Sequence, residues 1–68
     1  MKNNLKEIRE KNNLTQEALA NLVFVSRQTI ISIEKEYYVP TTPLALKLAQ
    51  VLKKHVEDIF TLEKSDWK

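Results

Sequence analysis

Arg27, Gln28, Ser32 and Lys35 are the residues whose types and spacing suggest chemistry. On a helix, Gln28, Ser32 and Lys35 fall at i, i+4 and i+7 and share one face, with Arg27 and Ile31 beside them. Arginine offers paired donors that match guanine, and glutamine offers a donor and an acceptor that match adenine. The chemistry suggested is hydrogen-bonded readout of base edges, without bond breaking. A polar stripe alone is an ordinary solvated face, so the weight falls on what positions it.

Catalysis lacks its parts. The chain has no cysteine and one histidine, which excludes thiol chemistry, disulfides and a histidine–cysteine metal site. His55 and Asp58 have neither a nucleophile nor a pocket to serve. No glycine is present, so no glycine-rich loop can cradle a phosphate. No cofactor is expected, and 68 residues leave no room for an effector-binding domain, so no small-molecule effector is expected either.

The elements that hold the stripe can be read around it. Thr15 and Ser26 are good helix caps, since a side-chain oxygen accepts from the free amides of a first turn. Leu19, Ala20 and Val23 share a face after Thr15, as do Ile30 and Ile33 after Ser26. Only Phe24 and Val25 lie between, so the two helices, about 16–23 and 27–35, must cross steeply as a helix-turn-helix. A helix over about 4–12 presents Leu5 and Ile8, and Asn12 or Asn13 can end it in the left-handed conformation. A fourth helix, over about 43–53, is expected to have Thr42 as cap and Pro43 at its first position, with a stripe of Ala45, Leu48, Ala49 and Leu52. Lys53 and Lys54 suit the negative end of its dipole. A short fifth helix covers 56–60; residues 60–63 then alternate as a strand does and suit pairing with residues 1–3.

Length allows one domain with a small core. Net charge is only +2, with +4 over residues 1–55 and −2 over 56–68, which leaves nucleic-acid binding undecided. Residues 1–4 lead into an amphipathic helix without the apolar run of a signal peptide, and no stretch approaches membrane-spanning length. The absence of cysteine also fits a reducing compartment, so a cytoplasmic location is expected.

Leu14-Thr15-Gln16-Glu17 with Leu19-Ala20, then Val25-Ser26-Arg27-Gln28-Thr29-Ile30 and Ile33-Glu34, resembles the Cro/repressor-type helix-turn-helix family. That group includes phage repressors and xenobiotic-response-element-like regulators. The resemblance continues through Tyr38, Pro40, residues 44–49 and Glu57-Asp58-Ile59-Phe60, covering about 4–62. It implies an all-α, five-helix lambda-repressor-like domain and a transcriptional regulator of double-stranded DNA, most often a repressor. Arg27, Gln28 and Ser32 would then read bases, with Ile31 either against a thymine methyl or simply tolerated at the surface. Gln16, Lys35, Tyr37 and Thr41 would hold phosphates. The family also implies an ion pair between Arg9 and Glu34. Ile59, Phe60, Leu62 and Trp67 are more apolar surface than the end of so small a chain can bury alone, which, with the family's habit of dimerising through this region, favours a homodimer contact over a frayed monomeric tail. Phe24 and Glu36 stand where relatives usually have glycine. The competing expectation, from another class, is a protein-interaction module such as the antitoxin partner of a toxin.

Overall fold

Three of the helix starts follow from a hydroxyl. Thr15 Oγ1 accepts from the Ala18 amide at 3.0 Å, Ser26 Oγ from Thr29 at 3.2 Å and Thr41 Oγ1 from Leu44 at 3.4 Å. The computed structural model describes residues 1–68. Its elements are β1 (Lys2–Asn3), α1 (Leu5–Lys11), α2 (Gln16–Leu22), α3 (Arg27–Glu34), α4 (Thr42–Leu52), α5 (Val56–Ile59) and β2 (Phe60–Thr61), followed by a 3-10 turn over Lys64–Trp67. The cap of α4 is Thr41, not Thr42 as the sequence suggested. The helix begins one residue early because Pro43 is equally harmless at the second position, where no amide has a helical partner. At the far end, α5 stops at Ile59 because Phe60 turns extended and joins β2.

The C-termini share one device. After each of α1 to α4 two successive amides turn back onto the helix: Asn13 and Leu14 to Glu10 and Arg9, Phe24 and Val25 to Asn21 and Ala20, Glu36 and Tyr37 to Ile33 and Ser32, and Lys53 and Lys54 to Gln50 and Ala49. This is the Schellman closure, which requires a left-handed residue after the helix. Asn13, Phe24, Glu36 and Lys53 supply it, at φ of 58°, 61°, 64° and 57°. For residues other than glycine and asparagine that conformation costs about 1–2 kcal/mol, from contact between Cβ and the carbonyl oxygen. Phe24 therefore keeps the turn geometry a glycine would give. The residue is 86% exposed and stands outside the core cluster and the residues packed against it.

The core is a single cluster: Leu5 and Ile8 of α1, Leu19 and Ala20 of α2 with Val23 after it, Ile30 and Ile33 of α3, Leu44, Leu48, Ala49 and Leu52 of α4, then Ile59 and Phe60. Leu44 takes the place expected for Ala45, which is half-buried. β1 and β2 pair antiparallel, Lys2 opposite Thr61 and Asn3 opposite Phe60, while the Asn4 amide donates to the Ile59 carbonyl at 2.8 Å. This short ladder draws Ile59 and Phe60 inward. They are 0% and 7% exposed, so neither presents surface to a second copy, contrary to the dimer role expected of them. Leu62 and Trp67 remain exposed. No helix is long and apolar enough to cross a membrane.

Two predictions follow from these ends. Lys53→Gly should raise the free energy of urea unfolding by about 0.5–1 kcal/mol, the relieved strain minus the greater chain entropy of glycine. Asn13→Gly should gain clearly less, because asparagine already tolerates the conformation. Loss of stability on Lys53→Gly would refute the strain account. The Met1 ammonium lies 3.1 Å from Glu63 and 3.2 Å from Asp66. Hydrogen bonds to those two carboxylates raise its pKa above the usual value of 8.0. Asp66 is lowered below 3.8, chiefly by the Glu63 backbone N–H and then by the ammonium. Docking of the Lys64–Trp67 turn should thus be complete between those values. It should weaken as pH rises through the raised amine pKa, and again as pH falls through the lowered Asp66 pKa. Amide chemical shifts of residues 63–67 followed against pH would show both transitions; shifts flat across both ranges would rule out the clamp.

Candidate nucleic-acid interface

The last turn of α3 carries the carboxylate that fixes its orientation. Arg9 Nε donates to Glu34 Oε2 at 2.7 Å and Arg9 Nη2 to Oε1 at 3.3 Å. Gln16 Nε2 donates to the same Oε1 at 3.1 Å, and Arg9 Nη1 to the Leu14 carbonyl at 2.8 Å. The two ionic side chains are only 8% and 5% exposed, yet no buried side-chain nitrogen or oxygen lacks a partner. The hydrogen bond to Glu34 raises the already high pKa of Arg9, which stays cationic. One carboxylate thus ties α3 to α1 and α2. Asn3 adds a bond from β1 through Nδ2 to the Ile33 carbonyl at 2.9 Å.

With Ile30 and Ile33 buried, the outer side of α3 carries Gln28 and Lys35, both exposed, flanked by half-buried Ile31 and Ser32. Gln28 and Ser32 open onto a cleft between α3 and the start of α4, shared with Tyr38, Thr41 and Lys47. Arg27 does not join them. It lines a separate recess with Arg9, Thr15, Gln16 and Glu17 at the start of α2. Adjacent residues on a helix are about 100° apart, so Arg27 and Gln28 occupy opposite flanks. Lys35 and Tyr37 are exposed beyond the end of α3, with Glu36 exposed between them. The Thr41 hydroxyl accepts from Leu44, which leaves its own hydrogen free to donate outward. Lys47 and Tyr38 were missed from sequence. The available signal for Lys47 was its spacing, four and three residues after Pro43 and Leu44, which places all three on one side of α4.

The sequence matches the helix-turn-helix family model HTH_3 over residues 5–59. The chain belongs to this family. It is 54% identical over 63 residues to the HTH-type transcriptional regulator MJ0272 of Methanocaldococcus jannaschii, covering 93% of this chain and 96% of that protein. It is 44% identical over 66 residues to the HTH-type transcriptional regulator YgzD of Bacillus subtilis, covering 97% and 100%. Among solved structures, the P22 c2 repressor in complex with a synthetic operator superposes with a TM-score of 0.75 at 26% identity, over 78% of this chain and 80% of that one. The restriction-modification controller protein C.AhdI from Aeromonas hydrophila gives 0.76 at 30% identity, over 82% and 85%. The fold is that of the lambda-repressor-like helix-turn-helix domains.

Removing the hub should be costly. Glu34→Ala leaves a buried guanidinium without its carboxylate and should lower unfolding free energy by about 3–5 kcal/mol. The double change Arg9→Met with Glu34→Leu removes both charges and should cost much less. Urea denaturation of the two variants decides the matter; a loss below about 1 kcal/mol for Glu34→Ala would mean the pair is dispensable.

Proposed function

We propose that this chain is a sequence-specific regulator of transcription that binds double-stranded DNA with α3 in the major groove, most often as a repressor. The observation that carries the reading is the outer face of α3, polar and free of structural work while the face beneath it is locked by the core and by Glu34. Gln28 and Ser32 read base edges, Ile31 meets a thymine methyl, and Arg27 reads from the opposite flank, beside the phosphate contact made by Gln16. The Gln16 amide uses one hydrogen on Glu34 and has a second for a phosphate oxygen. Lys35, Tyr37 and Thr41 hold the backbone around the cleft. Glu36 is a negative charge among these groups and tempers their pull. The repressor–operator complex of the P22 c2 relative supports the same docking here.

One helix does not discriminate enough. A good bidentate contact is worth roughly 1–3 kcal/mol, whereas specific binding needs an advantage of about 4–10 kcal/mol over random sites. Two copies on a palindrome with half-sites about one helical turn apart combine their discrimination. Leu62 and Trp67 are the apolar residues left exposed near the C-terminal end for that contact. The second reading is a protein-interaction module. It draws on the modest net charge and on the same exposed Leu62 and Trp67.

Selection from random duplex DNA should recover a palindrome, and failure to enrich any sequence at low salt would defeat the proposal. Gln28→Ala should weaken the selected site about 5- to 150-fold and leave random duplex nearly untouched; equal losses on both would remove its base-reading role. Lys35→Ala should weaken all sequences alike and flatten the salt dependence, about 0.9 of a log unit per phosphate. Binding through protein alone would show little salt response. Sedimentation at micromolar concentration should give a dimer, and a single 8.0 kDa species would count against the paired half-site arrangement.

A further inference from the structure

We propose that Lys47, held in place by the ring of Phe24, contacts a DNA backbone phosphate at the mouth of the α3–α4 cleft. The inference rests on the DNA-binding reading above and adds a pair of residues to it.

Phe24 occupies a left-handed position at φ 61° where its Cβ is a burden, and the residue is 86% exposed. It therefore contributes strain to the turn and nothing to the core. The ring's one directional contact is with Lys47, whose Nζ lies 6.0 Å from the centroid. That is the outer reach of a cation–π interaction, enough to bias an otherwise free lysine toward the α2–α3 turn. Lys47 makes no ion pair, since those of the chain involve only Met1, Arg9 and their acidic partners.

The cleft that Lys47 borders has the chemistry of an anion seat. It measures about 510 Å³, and its polar lining comes from Ser26, Thr29, Gln28, Ser32, Tyr38, Thr41 and Lys47, with no acidic residue; the Ser26 and Thr29 hydroxyls bond each other at 3.1 Å and so keep one hydrogen between them to offer. Each of the four other sizeable clefts carries at least one acidic residue. Donors with one cation and no acid suit a phosphodiester and repel neither its charge nor its oxygens. The position next to Gln28 and Ser32 matters as well. A phosphate held there lies along the same groove that those two side chains face, so the contact sets how deeply α3 enters. At this distance an exposed ring holds the ammonium only weakly and carries no full negative charge to compete with a phosphate, so Lys47 is aimed yet stays available for transfer to the phosphate.

The test is the salt dependence of binding, measured by fluorescence anisotropy on a selected site and on a random duplex. Lys47→Ala should reduce the slope of log affinity against log salt by about 0.9, the value of one phosphate, on both duplexes and with no change in melting temperature. Lys47→Arg should restore the slope. Phe24→Gly should raise the melting temperature yet weaken binding about two- to five-fold, the range of an exposed cation–π contact. In the background of Lys47→Ala the same change should weaken binding no further. An unchanged slope for Lys47→Ala, with the wild type still binding, overturns the inference and leaves the DNA-binding reading intact. A wild type that binds no duplex overturns both. If Phe24→Gly binds as well as the wild type, the ring has no part in placing the lysine.

Discussion

Everything presented on the surface of α3 depends on the carboxylate of Glu34. A short helix held only by Ile30 and Ile33 could roll about its axis on the apolar layer beneath it, because packing alone is weakly directional. Glu34 removes that freedom with bonds of defined direction, two from Arg9 on α1 and one from Gln16 on α2. A buried ion pair adds little net stability over an apolar replacement of the same shape. Its value here is angular, since it converts a greasy contact into a fixed orientation for eight residues.

That constraint also divides the face. Rotation set by Glu34 aims Gln28 and Ser32 toward α4 and leaves Arg27 over the start of α2. Residues adjacent in sequence thereby serve different sides of one duplex groove in the proposed complex. Charge plays a smaller part than position. With a net charge of +2 the molecule has only a weak long-range field, so local placement of donors has to supply most of the selectivity.

The helical scaffold was readable in the sequence because its signals are local. Thr15 and Ser26 cap where they stand, Leu19, Ala20, Ile30 and Ile33 repeat at helical spacing, and the pairing expected of residues 60–63 with 1–3 is present in shortened form, as Lys2–Asn3 with Phe60–Thr61. Errors came where two local rules competed or where tertiary contact overrode one. Thr41 and Thr42 are equally able caps, and only the observed bond to Leu44 separates them. Ile59 and Phe60 looked like surplus apolar surface, and the β1–β2 ladder made them core. Lys47 drew no notice because an exposed lysine in mid-helix is ordinary until a ring and a cleft are placed beside it.

The two-residue ladder has a kinetic consequence. It joins residues 2–3 to 60–61, and the Met1 contact to Asp66 spans 65 positions, while most helical bonds close over four. Bringing such distant segments together costs chain entropy, which two paired residues return only in part. Helices and their local packing should assemble first, with this seam closing last and opening first. The exposed Leu62 and Trp67 sit just beyond that seam, so the region facing a prospective second copy belongs to the most easily released part of the molecule.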